Sequence, residues 1–129
     1  MILDSSEILA ILRDESELDA FVKVIENAPV RRLSAANFLE AAIVIDSNRD
    51  PVASRRLDDF LRQAEVIIEP VTAEQAQTAR DAYRDFGRAG GHAARLNFGD
   101  CFAYALAKAL NEPLLFKGRD FAHTDVTSA

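Results

Sequence analysis

Apolar residues in this chain fall into short runs and helical stripes that alternate along its length. Ile2-Leu3 is a brief apolar run that stops at Asp4 and predicts a short buried strand. Ser6 to about Leu12 reads as a helix. A second helix is expected over roughly Glu15 to Asn27, where Leu18, Phe21, Val22 and Ile25 recur on one helical face before Pro29 breaks the pattern. Val30 to Ser34 is strand-like, and a helix from Ala35 to about Asn48 ends at the turn Asn48-Arg49-Asp50-Pro51. Val52 to about Ala64 predicts another helix. The run from Val66 to Val71 is rich in β-branched residues and predicts a buried strand. Thr72, with Glu74 and Gln75 in the turn that follows, predicts a capped helix to about Phe86. Residues 87–97 hold Gly87, Gly90 and Gly91 and read as a loop; Asn97 then caps a long helix to Leu110, and Pro113 to Phe116 is a short buried strand.

Short apolar strands separated by helices point to a parallel sheet covered on both faces, an α/β fold built as a three-layer α/β/α sandwich. The chain has no internal repeat and no linker rich in Pro, Gly or Ser, so residues 1–129 are expected to form one domain. In such sheets ligands bind beyond the carboxyl ends of the strands, at a topological switch point. Chemistry is therefore sought in the residues just after each strand.

The formal charge of −6 disfavours passive binding to nucleic acid, which wants a basic surface. It leaves room for a nuclease whose acids are gathered in a cation-binding pocket. The single Cys101 excludes an intrachain disulfide and a thiolate metal site. No apolar run approaches the roughly 18–20 residues of a membrane span, and no signal peptide is read at the start. The expected setting is the cytoplasm.

Four acids occupy notable places. Asp4 follows the first strand and Asp120 follows the last, while Glu40 and Asp100 share helical faces with otherwise apolar residues. A carboxylate on a core-facing stripe must be paired, hydrogen-bonded or metal-bound, because an isolated buried charge is very costly. Each also has a plain structural reading. Asp4 and Glu7 have the spacing of a capping box, as do Asn97 and Asp100; Glu40 could lie at a helix edge and Asp120 could begin a turn. Glu40 argues most for a site, since no cap needs an acid in mid-helix.

Three blocks carry a family resemblance: MILDSS at the start, SAANFLEAAIV, and LNFGDCFAYALAKALNEPLLFKGRDFAHTD near the end. Together they resemble a PIN domain of the VapC type, the toxin of a type II toxin–antitoxin pair, from end to end. The resemblance implies an endoribonuclease dependent on Mg²⁺ or Mn²⁺. It also implies a VapB-type antitoxin, an RNA substrate, and a homodimer or a complex with the antitoxin. Carried over by position, Asp4, Glu40 and Asp100 match the metal-binding acids, Ser6 the hydroxyl supporting the first, and Asn97 the polar residue before the third. Many PIN domains place a further acid where this chain has Gly118, so Asp120, two residues later, is the candidate fourth. Small apolar residues commonly fill the place of Glu7 in the family, which leaves Glu7 as a helix-start residue.

Metal-activated water needs no histidine base, in keeping with only His92 and His123, neither adjacent in sequence to a candidate acid. Phosphate contacts are expected from Arg88, His92 and Arg95 in the glycine-rich loop and from Lys117 and Arg119 beside Asp120, although solvated surface charge explains each equally well. Phe21, Phe60, Phe86 and Phe102 are expected in the core. Leu9, Leu12, Leu18 and Phe21 could instead line a groove for a partner helix. Two rivals are a PIN-like interaction module that has lost its metal and a phosphoacceptor receiver domain. The latter needs an aspartate after the middle strand, where this chain has Glu69-Pro70.

Overall fold

The computed structural model describes residues 1–13 and 18–129. Four parallel strands form one sheet: β1 (Ile2–Leu3), β2 (Arg31–Ser34), β3 (Val66–Glu69) and β4 (Leu114–Leu115), in the order β3-β2-β1-β4. The register pairs Leu3 with Leu33 and with Leu115, so one row of leucines crosses the sheet centre. The chain leaves β1 toward β2 and β3, then returns to place β4 on the other side. The order therefore reverses between β1 and β4, which is where a crevice is expected in an open parallel sheet.

Six helices cover the sheet: α1 (Ser5–Leu12), α2 (Leu18–Asn27), α3 (Ala35–Asp46), α4 (Pro51–Gln63), α5 (Ala73–Phe86) and α6 (Phe98–Leu110). Successive strand residues point to opposite faces, and the core divides accordingly. Ile2 and Leu114 pack with Ala79, Ala82, Tyr104 and Leu106 of α5 and α6. Leu3, Leu33 and Leu115 pack with Ile8, Ile25, Ala41, Ile45 and Leu57 from α1 to α4. These are the three layers the apolar pattern predicts.

The helices begin where side chains can satisfy their free N–H groups. Asp4, Ser34, Asp50, Thr72 and Asn97 each accept a hydrogen bond from a first-turn amide. Pro51 fits the first turn of α4, where a missing N–H costs nothing. The expected start of the second helix near Glu15 lies outside the described residues; from Leu18 to Asn27 the helix is present.

Two expectations need correction. The Val66–Val71 run forms a strand only to Glu69, and that strand is an edge: Ile67 and Ile68 are each 44% exposed. β-Branched residues suit a pleated edge as well as a buried strand, so the run alone could not tell them apart. The 87–97 loop is also more ordered than expected. A short 3₁₀ turn over Arg88–Gly90 and a bridge between Gly87 and Leu96 close it back on itself. No helix among the described residues is long and apolar enough to cross a membrane.

Candidate active site

Asp4 leaves β1 at its carboxyl end and caps α1. Its Oδ2 accepts from Ser6 Oγ at 2.6 Å and from the Ser6 amide at 3.4 Å, while its Oδ1 is buried with no hydrogen-bond partner. Burial pushes the Asp4 carboxyl up to about 6, the charge of Glu40 adds to this, and the bonds from Ser6 oppose it.

Glu40 reaches the same place from α3, half-buried at the edge of the helix face rather than within it. The inward residues of α3 are Asn37, Ala41 and Ile45, while Ile43 is 58% exposed, so the apolar stripe assumed around Glu40 is partly solvent-facing. Ser5 Oγ donates to Glu40 Oε1, and Asn37 Nδ2 donates to the same oxygen at 3.4 Å. Asn37 Nδ2 also donates to the carbonyl of Gly99 at 2.9 Å, tying α3 to the first turn of α6. A Cβ at position 99 would collide with the Glu40 carboxylate, whose Cδ would lie 2.6 Å away. Ser5, Asn37 and Gly99 are thus parts of the site that sequence reasoning did not assign. The last lies in the quoted block NFGD, directly before the third acid.

Asp100 forms the expected capping box. Its amide donates to Asn97 Oδ1 at 2.9 Å, and its Oδ2 accepts from the Asn97 amide at 3.0 Å. Capping does not exclude a role in the site, because the box occupies one carboxylate oxygen only. Burial pushes the Asp100 carboxyl up to about 7, the Asn97 bond opposes this, and the charges of Asp4, Asp120 and Glu40 raise it further. The other three predicted acids therefore all lie within electrostatic reach of Asp100, and Glu40 also lies within reach of Asp4. Gly118 sits at φ +86°, a backbone region that side chains resist, and Asp120 follows without a side-chain cap bond of its own.

Glu7 departs from its expected role. It lies in the first turn of α1 but is fully buried, and makes no capping box with Asp4. Ser6 Oγ lies 3.0 Å from Glu7 Oε1, and Glu7 Oε2 has no partner. Burial, with the charge of Asp4, pushes the Glu7 carboxyl up to about 9, so it is neutral at physiological pH.

The donor set fits a hard divalent cation. It offers carboxylate oxygens only, one of them buried and unpartnered, and burial together with neighbouring carboxylates raises the carboxyl groups of Asp4 and Asp100. Among the described residues, however, no group of three or more His, Cys, Asp or Glu side chains stands close enough to hold an ion as placed.

The basic candidates differ in exposure. Arg88, Arg95 and Arg119 are exposed and Lys117 is half-buried. His92 accepts from the Ala94 amide at Nδ1 and meets Phe86 edge-on, so it orders the loop. Phe102 is only partly buried and lines a surface cleft with Phe98, not the core as expected.

Comparison with known proteins agrees with this fold. The PIN domain family model matches residues 1–126. Ribonuclease VapC28 of Mycobacterium tuberculosis is 59% identical over 129 residues, covering 100% of this chain and 97% of that protein. The crystal structure of Mycobacterium tuberculosis VapC20, a sarcin–ricin loop cleaving toxin, superposes with a TM-score of 0.77 at 17% identity, covering 99% of this chain and 97% of that one. A toxin–antitoxin complex from Klebsiella pneumoniae gives a TM-score of 0.75 at 13% identity, covering 99% and 95%. At such identities these two structures speak for the fold.

Proposed function

The chain belongs to the PIN-domain family, as a VapC-type ribonuclease toxin, and we propose that Asp4, Glu40 and Asp100 hold the Mg²⁺ or Mn²⁺ that its endoribonuclease activity requires, with Asp120 assisting. One observation carries this reading: Asp100, at the β1/β4 crevice, feels the charges of Asp4, Asp120 and Glu40 together. A bound divalent ion would supply an activated water and neutralise charge on the phosphate.

The protein's own groups do the rest by positioning. Ser6 fixes one oxygen of Asp4 and leaves the other free toward the crevice. Ser5 and Asn37 hold Glu40, and the Asn97 amide holds Asp100. A water oxygen replaces one ester oxygen on phosphorus, and the departing oxygen leaves with a proton. Asp120, whose charge acts on Asp100, would orient that water. Arg88, Arg95, Lys117 and Arg119 are the candidates for phosphate contacts that would offset its negative charge for an anionic strand.

A VapB-type antitoxin is the natural partner, and residues 1–129 act as one cytoplasmic domain. A groove of about 300 Å³ lined by Ile11, Val22, Ile25 and Phe60 suits the apolar face of a partner helix. Leu9, Leu12 and Phe21 pack against the core beneath it, while nothing is described for the Leu18 side chain. An antitoxin arginine would pair with the pocket carboxylates and compete with metal. Exposed Leu39 and Ile43 on α3 offer a surface to a second copy in a homodimer.

The test is sequencing of RNA 5′ ends after induction of the chain, beside Asp4→Asn and Asp100→Asn variants, with melting measured in Mn²⁺. Cleavage is expected to vanish in both variants, and Mn²⁺ to raise the melting temperature of the wild type more than theirs. Cleavage surviving in both would overturn the assignment. A wild type that neither binds Mn²⁺ nor cuts RNA would be an inactive interaction module.

A further inference from the structure

An apolar cleft of about 540 Å³ opens beside the carboxylate pocket, where α5 faces the start of α6. Tyr83, Phe98 and Phe102 line it together with Arg80, Arg88 and Asn97. Phe98 is 77% exposed, an unusual state for a phenylalanine that no fold contact requires. It meets Phe102 edge-on, with ring centroids 4.9 Å apart and planes at 79°, an arrangement that leaves a ring face open.

The charged groups of the cleft share one sign. Arg80 and Arg88 are exposed, and neither forms an ion pair among the described residues. No carboxylate lines the cleft. On a chain of net charge −6, this makes a local positive site next to an acidic one. The two are joined through Asn97, which borders the cleft and bonds to Asp100 in the pocket.

We infer that this cleft is a nucleobase subsite for the RNA substrate, in which an unpaired base near the scissile phosphate stacks on Phe98 and Tyr83 while Arg80 and Arg88 hold the flanking phosphates. The inference rests on the ribonuclease reading and adds to it where a base is held. Aromatic faces bind any base by stacking, and guanidinium groups follow the backbone. The volume is that of a small-ligand site. A second copy of the chain suits the cleft less well, because it would bury two guanidinium groups without an acid from the cleft to pair them.

The test uses the full chain carrying Asp4→Asn, so that bound RNA stays intact. Fluorescence anisotropy compares a short single-stranded oligoadenylate with an abasic ribose–phosphate oligomer of equal length. The oligoadenylate is expected to bind about tenfold more tightly. Adding Phe98→Ala, harmless to the fold at so exposed a position, should erase that preference, and Phe98→Trp should restore it. The inference is overturned if the oligomers bind alike, or if Phe98→Ala leaves the preference intact. A change in sedimenting mass on Phe98→Ala with the preference intact would likewise overturn it and make the face a contact between copies. Cleavage of RNA by the chain with Asp4 intact, lost on Asp4→Asn, is measured alongside. Its survival in Asp4→Asn would sink the catalytic assignment, whereas its loss without a base preference would sink only the cleft.

Discussion

A hydroxyl carries one proton, and Ser6 faces two carboxyl groups. Its Oγ lies 2.6 Å from Asp4 Oδ2 and 3.0 Å from Glu7 Oε1. The shorter contact takes the Ser6 proton, so Asp4 and Glu7 compete for a single donor. Burial, with the charge of Asp4, raises the Glu7 carboxyl to about 9, while the bond from Ser6 opposes this. Glu40 depends in the same way on small neighbours, and most of all on the missing side chain at Gly99. In Gly99→Ala the new methyl must push the Glu40 carboxylate aside. A displaced catalytic group costs on the order of 100-fold in rate, so cleavage of RNA should fall by about that factor while the helical far-UV signal persists. Wild-type cleavage by Gly99→Ala would show that Glu40 need not stay where it is. Asp4 and Glu40 were legible as candidates because a strand end or a mid-helix position makes an acid conspicuous, and Asp100 because it shares a helical face with apolar residues. Ser5, Asn37 and Gly99 were not, because their roles exist only once α3 packs on α6, with Asn37 and Gly99 separated by 62 positions.

At the scale of elements, α6 shows how one motif serves two purposes. The Asn97–Asp100 box starts the helix and also holds one carboxylate oxygen of Asp100. Asn97→Ala removes the cap acceptor and should cost about 1 kcal/mol in urea unfolding. Asn97→Ser retains an acceptor and should lose only a few tenths. If the box also aims the acid, cleavage should follow the same order, with Ala slower than Ser; equal rates would confine Asn97 to capping. The helices were readable from their caps and periodicity, because these are local signals. Whether a strand lies at an edge is not local. Val66–Glu69 became an edge because the chain crosses back after β3 to put β4 beside β1. Phe98 escaped notice for a related reason. It lies within a helix start rich in apolar residues, and its exposure follows only from the neighbours α6 lacks on that side.

For the whole molecule, the acids of the pocket set a conflict between stability and function. Asp4, Asp100 and Glu7 are raised to about 6, about 7 and about 9, with burial the main cause in each. A carboxyl whose folded value exceeds its unfolded one binds its proton more tightly when folded. Its contribution is therefore fully present below the unfolded value, near 4, and is lost as pH rises through the folded value. Asp125 and Glu112, whose values are lowered by their partners, act oppositely and weaken the fold only in stronger acid. Between these limits the metal-free chain should melt about 5 °C or more higher at mildly acid pH than at alkaline pH. Glu7→Gln removes the acid that titrates last and should flatten the alkaline part of the decline. Mn²⁺ favours deprotonated ligands, so its stabilising effect should grow as pH rises and narrow the gap. Differential scanning calorimetry across this range, with chelator and with Mn²⁺, tests both. A melting temperature that climbs with pH in chelator would mean that these carboxyl groups are not strained by burial, and the pocket would lose its reason to recruit a cation.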